Sequence, residues 1–212
     1  SYEEMLELAS MGAKVLHTRS VELAMRYDVN LQVLSSFQEK IGTLVCREDK
    51  MLESRMISGV ASSKDEAKVT LSGVLDKPGI AAAIFGPLSD SGINVDMIIQ
   101  NVSENETTDI TFSCPMSQVS EAEAAINTAS KKKKISFKAC VIDTEVAKVS
   151  IVGIGMRSHA GIAKKMFESL ANENINILVI STSEIKISIL VEQKYMELAV
   201  QVLHDAFELD KV

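Results

Sequence analysis

The sequence predicts an α+β fold in which one βαββαβ module occurs twice. The main observation is an internal repeat: the residue pattern that starts at Lys68 recurs, with substitutions, from Lys148. The offset is 80 residues at the Lys-Val pairs (148 − 68) and 82 at the Gly-Ile-Ala motifs that start at Gly79 and Gly161 (161 − 79). Only the turn between strand and helix therefore differs in length. A repeat of this size within 212 residues indicates two small modules behind a leader.

The leader, residues 1–37, is predicted to be mainly helical. Ser1 and Glu4 form a capping-box pattern at the start of one helix, and Gly12 ends that helix. A second helix fits residues 17–27 and a strand fits residues 31–34. The leader is too short to bury a core of its own, so we expect it to belong to a larger domain. Residues 38–55 are polar and charged, and we interpret them as a linker.

The first module, residues 68–142, has alternating strand and helix signals. They predict a strand over 69–74, a turn over 76–79, a helix from residue 80 that Gly92 closes, strands over 94–102 and 108–113, a helix over 119–129, and a strand over 135–142. The order is βαββαβ, which gives one antiparallel sheet with both helices on a single face.

The second module, from residue 148 to 212, repeats only five of these six elements. The signals are a strand over 149–154, a helix over 161–173, strands over 176–181 and 184–192, and a helix over 195–203. Upstream, residues 56–61 have a strand pattern without a partner. We therefore predict that residues 57–61 complete the second sheet, which makes the first module an insertion in the second.

Composition and cysteine usage limit the function classes. With 46% hydrophobic and 24% charged residues the chain is typical of soluble globular proteins, and we expect a cytoplasmic protein without a membrane segment or signal peptide. A net charge of −7 argues against nucleic-acid binding, and the basic run at residues 131–134 is typical of a solvated helix end. Cys46, Cys114 and Cys140 are widely spaced, which favours reduced thiols over disulfides or metal ligands.

The sequence contains no recognisable catalytic motif. A Gly-rich phosphate loop with its lysine, a G-x-S-x-G motif and an H-E-x-x-H motif are all missing from the 212 residues. His17, His159 and His204 are far apart in the sequence and are interpreted as capping or surface residues. We therefore predict neither catalytic residues nor a metal site within this chain.

The strand-to-helix turn of the first module is a candidate site for a free amino acid. The backbone N–H groups of Gly79, Ile80 and Ala81 would face outward at a helix start, which attracts a carboxylate. Asp76 could accept an ammonium group, and the adjoining strand begins with the polar residues Asn94, Asp96 and Gln100. From spacing alone, an ordinary tight turn followed by an ordinary strand entry is an equally open interpretation.

Several segments resemble the aspartate kinase family. SYEEMLELASMGAKVLHTRSVELA is similar to the last helices of its catalytic domain; DKPGIAAAIF, INVDMIIQNVS and TTDITFSCP resemble its first ACT module; KVSIVGIGMRSHAGIA and NINILVISTSEIKISILV resemble its second. The resemblance covers essentially the whole chain. It implies two ferredoxin-like ACT modules, residues 68–142 and residues 56–61 with 148–212, behind a short remnant of an amino-acid kinase domain.

The resemblance also implies a function. The region would bind the end products lysine and threonine where the first module of one chain packs on the second module of another, and would inhibit the kinase by feedback. A homodimer through the ACT modules, or a pairing with a full-length kinase subunit, is implied. By position, the effector-binding residues are Asp76, Gly79, Ile80, Ala81, Asn94, Val95, Asp96 and Gln100 in the first module and Ile162, Ala163, Asn176 and Ser183 in the second.

The full-length enzyme would phosphorylate aspartate with ATP and Mg²⁺, the first step of lysine, threonine and methionine biosynthesis. The family's opening lysine and glycine-rich motif lies outside these 212 residues, so we expect the chain to be inactive alone and to hold no cofactor. Two other functions stay open: a stand-alone tandem ACT sensor that regulates a partner enzyme in trans, and a dimerisation scaffold without a ligand. The leader favours the first interpretation, because a self-contained sensor has no use for part of a catalytic domain.

Overall fold

The computed structural model describes residues 1–48, 56–101 and 106–210. The helices are α1 (Tyr2–Ser10), α2 (Thr18–Tyr27), α3 (Ile80–Asp90), α4 (Val119–Lys131), α5 (Ile162–Asn172) and α6 (Met196–Ala206). The strands are β1 (Leu31–Val33), β2 (Thr43–Val45), β3 (Gly59–Ser63), β4 (Ala67–Leu75), β5 (Ile98–Gln100), β6 (Thr107–Cys114), β7 (Ala139–Asp143), β8 (Val146–Val152), β9 (Val179–Thr182) and β10 (Lys186–Glu192). None of the helices formed by the described residues is long and apolar enough to cross a membrane.

The first module runs β4-α3-β5-β6-α4-β7 and forms one antiparallel sheet in the spatial order β5-β6-β4-β7. In β4, buried Val69 and Leu71 alternate with partly exposed Lys68 and Thr70, so that one face of the sheet is apolar. Both helices pack on this face. They contribute Ile80, Ile84, Leu88, Ala122, Ile126 and Ala129 to the core. The predicted α+β fold with helices on a single face is confirmed for this module.

The second module forms a sheet in the order β3-β8-β10-β9, with α5 and α6 on one face. β3 pairs antiparallel with β8, from Gly59 opposite Val152 to Ser63 opposite Lys148. It holds the place beside β8 that β7 holds beside β4 in the first module. The upstream segment therefore pairs with the second sheet and not with the first, which is the pairing that the predicted insertion requires.

The helix-free face of the second sheet is covered by the leader. Met11, just after α1, packs on Ala61 of β3 and Val152 of β8. An ion pair of 3.0 Å between Glu7 Oε2 and Lys186 Nζ adds a polar contact. The first module adds contacts of its own, such as Asp96 with Lys148. Together they bury all seven residues of β8, whereas β4 alternates between buried and partly exposed residues. The two modules share a fold but not an environment.

The interpretation of residues 38–55 as a linker is wrong at β2. Residues 43–45 pair antiparallel with β1, Leu31 opposite Val45 and Val33 opposite Thr43. Val45 is 2% exposed and packs with Tyr2, Val21 and Ala24 in a small leader core. The reason is that two β-branched residues and a leucine suit a strand once a buried surface is available, although charged residues follow them in the sequence. Residues 49–55 lie outside the described ranges.

Two predicted strands of the first module are shorter than expected. β5 covers only Ile98–Gln100 of the predicted 94–102, of which 102 lies outside the described residues. β7 begins at Ala139 and not at residue 135. After α4, Lys133 has a left-handed φ of 56° and Ile135 turns into the core with 4% exposure. The apolar pattern over residues 135–142 therefore combines a core anchor with a strand.

Candidate functional site

The first turn, residues 76–79, connects β4 to α3 and is open to solvent. Its four residues are exposed, and the Asp76 N–H donates to Glu106 O at 2.8 Å. Gly79 has φ 89°, and a Cβ placed there would meet nothing within 4 Å. The first N–H groups of a helix have no partner within the helix, so this start of α3 can accept an anionic group.

One residue of the first turn departs from expectation. The N–H of Ile80 donates to Lys77 O at 3.1 Å, so it is not free to hold a ligand. The Ile80 side chain is 4% exposed and belongs to the module core. The prediction that Ile80 offers a free N–H is therefore wrong, because the tight turn uses that group to close itself. Ala81, exposed at the start of α3, is the next residue along.

The second turn, residues 153–161, has nine residues against four in the first, because two residues are inserted and β8 ends three residues earlier in the repeat than β4. It contains a 3₁₀ turn over Ile154–Arg157, and the backbone N–H of His159 donates to Gly155 O at 3.1 Å. Gly161 has φ 91° with open space beside it, as Gly79 does. Ile162 is buried and Ala163 half-buried. Both helix starts therefore share one geometry, although the turns that lead into them differ.

The polar strand entry of the first module lies far from the first turn. The N–H of Asp96 donates to Ser113 O at 3.0 Å, and Ser113 is opposite Lys68 in the sheet. Asp76 lies eight residues (76 − 68) farther along β4, which is about 25 Å at roughly 3.3 Å per residue. Gln100, opposite Ile110, lies between the two.

This separation corrects the expectation that the turn and the strand entry adjoin within one module. α3 runs back along β4, so the chain reaches Asn94, Val95 and Asp96 at the opposite end of the sheet. In the second module Asn176 likewise follows the far end of α5, away from Ile162 and Ala163. Ser183 lies at the near end, because its β9–β10 hairpin reaches the second turn through a 2.9 Å bond from the Gly153 N–H to Ile185 O. Ser183, Glu184, Met156 and Arg157 line a cavity of about 420 Å³ there.

Asn94, Val95 and Asp96 line a second cavity, the junction cleft, where the leader and both modules meet. Its volume is about 370 Å³. The other lining residues are Ser10, Met11, Ser63, Asp65, Glu66, Cys114, Pro115, Lys148 and Lys186. Asn94 is held at the edge of this cleft, because its N–H donates to the Gln118 side chain at 3.0 Å.

A buried lysine organises the charges of the junction cleft. Lys148 Nζ lies 2.5 Å from Glu66 Oε1 and 2.7 Å from Asp96 Oδ2. Burial lowers the pKa of Lys148, but hydrogen bonds and charges from Asp96 and Glu66 outweigh burial and raise it, so the amine is charged. One cation thus faces two carboxylates, and the Asp96 side chain is 53% exposed. An ammonium group from solvent can reach this surplus negative charge.

Sequence reasoning missed Lys148 and Glu66. No local signal could have revealed them, because the equivalent lysine of the first copy, Lys68, has a similar sequence around it but lies near the surface beside Asp143. Cys114, also in the cleft, is an unreactive thiol: burial first, then the charges of Glu66 and Asp65, raise its pKa to about 11. Within the described ranges, no group of three or more His, Cys, Asp and Glu side chains could hold a metal ion.

Comparison with known proteins identifies the modules. Two family models described as ACT domain match residues 69–132 and 149–207. The aspartate kinase of Pseudomonas fluorescens is 55% identical over 99% of this chain, and the chain spans about half (51%) of that protein. The regulatory subunit of aspartate kinase from Thermus thermophilus, in a ligand-free crystal structure, is 37% identical with a TM-score of 0.67; the match covers 72% of this chain and 99% of that one.

A longer solved relative matches nearly the whole chain. The structure of E. coli aspartokinase III in complex with lysine and aspartate is 26% identical with a TM-score of 0.72, and the match covers 97% of this chain and 45% of that one. The repeated fold, the open helix starts and these matches agree. The chain therefore belongs to the aspartate kinase family, in which it corresponds to the regulatory region with two ACT domains.

Proposed function

We propose that this chain binds free lysine, threonine or both, and that binding inhibits the catalytic part of an aspartate kinase. The observation that carries the proposal is the pair of open helix starts behind Gly79 and Gly161, combined with the exposed carboxylate of Asp96. A helix start suits a carboxylate and a carboxylate suits an ammonium group, so together they suit an amino acid. E. coli aspartokinase III, crystallised with lysine and aspartate, supports this ligand class.

The proposed site needs two modules. Because the first turn and Asp96 are about 25 Å apart along one sheet, a single amino acid cannot bridge them within one module. The two parts of the proposed site, a helix start and the carboxylate of Asp96, come together only where the turn of one module faces the strand entry of another. The proposed effector residues are Asp76, Gly79, Ile80, Ala81, Asn94, Val95, Asp96, Gln100, Ile162, Ala163, Asn176 and Ser183, with Ile80 contributing shape and not its N–H.

Exposed strand edges support a homodimer that would supply the missing half. β5 and β9 are the outer strands at one edge of each sheet. Ile98 in β5 is 52% exposed, and Ile180, at the equivalent repeat position (98 + 82), is 42% exposed. Unpaired strand edges with apolar side chains favour pairing with another chain. Association of two chains along these edges would place the modules side by side.

The leader supports a link to a catalytic domain. Phe37 is 96% exposed and Ile41 87% exposed, which is unusual for large apolar residues unless another surface covers them. The self-contained Thermus thermophilus subunit matches 72% of this chain and the longer E. coli enzyme 97%. We therefore assign residues 1–37 together with the paired strand β2 to the end of a kinase domain, the rest of 38–55 to a connection, 68–142 to the first ACT module, and 56–61 with 148–212 to the second.

The reaction of the whole enzyme is assigned to residues outside this chain. Phosphorylation of aspartate by ATP and Mg²⁺ would use the part of the longer relatives that this chain does not cover. This region would act only on the equilibrium between active and inhibited forms, which requires that the effector bind one form more tightly.

Calorimetric titration of the chain with lysine, threonine, methionine and isoleucine tests the proposal. We expect saturable heat with lysine, threonine or both, and none with isoleucine. A sensor that works in trans would bind equally well but would inhibit a separately supplied kinase, so an inhibition assay distinguishes it. If no amino acid gives saturable heat, the chain is a dimerisation scaffold and the proposal fails.

Substitution of Asp76 by Ala tests the first turn directly. The loss of one charged hydrogen-bond partner should weaken effector binding by roughly 10- to 100-fold, equivalent to about 1.5–3 kcal/mol. Stability should change by less than about 0.5 kcal/mol, because the side chain is exposed. Asp90→Ala, an exposed aspartate at the other end of α3, is the matched control and should leave the effector Kd unchanged. Equal effects of both variants would contradict the assignment of Asp76.

A further inference from the structure

The leader contacts the two turns unequally. The leader, taken here to include β2 and the residues after it up to 48, contacts the second turn, residues 153–161, at two separate points, Glu4 and Glu48. Among the described residues, no hydrogen bond or ion pair joins the leader to the first turn, residues 76–79. Within one chain, the second turn therefore has a direct physical connection to the leader that the first turn does not have.

The inner contact is made by a buried carboxylate of α1. Glu4 is 3% exposed, and its Oε1 accepts hydrogen bonds from the N–H of Ile154 at 2.9 Å and from Ser58 Oγ at 2.6 Å. Ile154 is the first residue of the 3₁₀ turn. Oε2 also accepts from Ser1 Oγ at 2.9 Å, so the loss of the Ile154 and Ser58 donors would leave Oε1 unsatisfied, at a cost of about 1–3 kcal/mol. Displacement of Ile154 is therefore coupled to displacement of α1.

The chain around Ile154 has little room to move independently. A Cβ at the preceding Gly153 would lie 2.4 Å from Met56 O and 2.6 Å from Ile57 Cα. The Ser58 N–H donates to Val152 O at 2.7 Å. The base of the second turn is thus packed between α1 and the segment that leads into β3. A change in the turn must be passed to these neighbours, because close-packed elements do not deform gradually.

The outer contact is an ion pair at the other end of the leader. Arg157 Nη1 lies 3.1 Å from both carboxylate oxygens of Glu48, and Arg157 Nε lies 3.5 Å from Glu184 Oε2. Arg157 and Glu184 also line the cavity next to Ser183. This arginine therefore connects the leader, the second turn and the β9–β10 hairpin. Three of the proposed effector residues lie nearby: Ile162 and Ala163 directly after the second turn, and Ser183 in the hairpin.

We propose that Glu4 and Glu48 are positioning residues, through which an amino acid bound at the second turn changes the position of the leader. The inference rests on the proposed function, since it needs an effector at that turn. Coupling between two sites requires contacts that differ between two states, and these two contacts are the ones that join the turn to α1 and to the residues after β2. A ligand held between a first turn and Asp96 would reach the leader at the junction cleft, which Ser10 and Met11 line, and not through Glu4 or Glu48.

Amide hydrogen exchange on the complete chain tests this coupling. Exchange of α1 is compared without ligand, with saturating lysine and with saturating threonine, after calorimetry has established which of them binds. We expect a bound effector to change the α1 exchange rates at least 5-fold in the unsubstituted chain. In Glu48→Ala and in Glu4→Gln the change should fall below 2-fold while saturable binding remains.

Arg47→Ala provides the matched control. Arg47 neighbours Glu48 but pairs with exposed Asp28, so the variant removes a leader charge without touching the turn, and the ligand response of α1 should be that of the unsubstituted chain. Glu48→Ala keeps the experiment decisive even if Glu4→Gln does not fold, because Glu48 and Arg157 lie near the surface. Binding with an unchanged response in Glu48→Ala would overturn the coupling alone. A chain that binds neither lysine nor threonine would overturn the proposed function and this inference with it.

Discussion

The two strand-to-helix turns end alike and begin differently. Both finish with a left-handed glycine, at φ 89° and 91°, followed by a buried isoleucine. The first turn has four residues and is exposed, whereas the second has nine, includes a 3₁₀ turn, and contacts the leader through Ile154 and Arg157. The helix start is thus the shared part of the repeat. The added residues allow the second turn to reach beyond its own module.

The same contrast holds for the strands that precede the turns. β4 has one apolar face and one partly exposed face, whereas β8 is buried on both because α1 and the first module cover it. Equivalent residues of the two copies therefore differ in burial and in the contacts that they make. Three pairs of equivalent positions allow this contrast to be measured, in decreasing order of expected effect.

The two lysines that open the repeated strands should differ most. Lys148→Met removes the cation between Glu66 and Asp96, and leaves Glu66, whose side chain is 7% exposed, buried without its partner. We expect a loss of about 3 kcal/mol in the free energy of unfolding. Lys68→Met breaks only the 3.4 Å pair with Asp143, whose side chain is 36% exposed, and should cost less than about 1 kcal/mol. Urea unfolding of both variants gives the comparison, and equal losses would show that the cleft lysine acts as a surface residue.

The glycines five residues farther along form the second pair. Gly153→Ala places a methyl group against the backbone of Met56 and Ile57, neither of which can swing aside, and should cost about 2–3 kcal/mol. Gly73→Ala meets only the flexible Lys138 side chain, but it strains a φ of 63°, and should cost about 1–2 kcal/mol. Thermal unfolding measures both. A smaller loss for Gly153→Ala than for Gly73→Ala would mean that the segment leading into β3 is not packed tightly on the second turn.

The residues that end α3 and α5 should differ least. Gly92 has φ 71° and Asn174, at the equivalent position, has φ 56°. Gly92→Ala adds a Cβ in open space, so its cost of about 1 kcal/mol is conformational only. Asn174→Gly should raise stability by less than about 1 kcal/mol, because asparagine tolerates the left-handed region. Thermal unfolding of the two variants should give shifts of opposite sign, and shifts of the same sign would contradict a common helix end.

Local sequence patterns were sufficient for the elements that each module builds by itself. The alternation of Val69 and Leu71, the helical spacing up to Leu88 and the left-handed residues Gly92 and Asn174 all have the predicted roles. The pairing of β3 with β8 also followed from counting elements, since five elements of a six-element repeat leave one edge open.

What could not be predicted depends on contacts between distant parts of the chain. Lys68 and Lys148 have nearly the same neighbours in sequence, and only the packing of Glu66 and Asp96 distinguishes them. β2 was obscured by the charged residues after it, because the burial of Val45 depends on α1 and α2 as well as on Leu31 of its own hairpin. The separation of Asp76 from Asp96 is a matter of topology. It could have been derived from the direction of α3, but spacing along the chain suggested a closeness that the fold does not provide.

The placement of β3 has a consequence for synthesis of the chain on the ribosome. Gly59 pairs with Val152, which is added 93 residues later (152 − 59), whereas the strands of the first module find their partners within their own segment. At a translation rate of about 5–20 residues per second, β3 waits roughly 5–20 s for β8. During that interval the first module can fold to completion. Its folded sheet then holds the ends of the module close together, so β8 emerges near β3 when the second sheet begins to form.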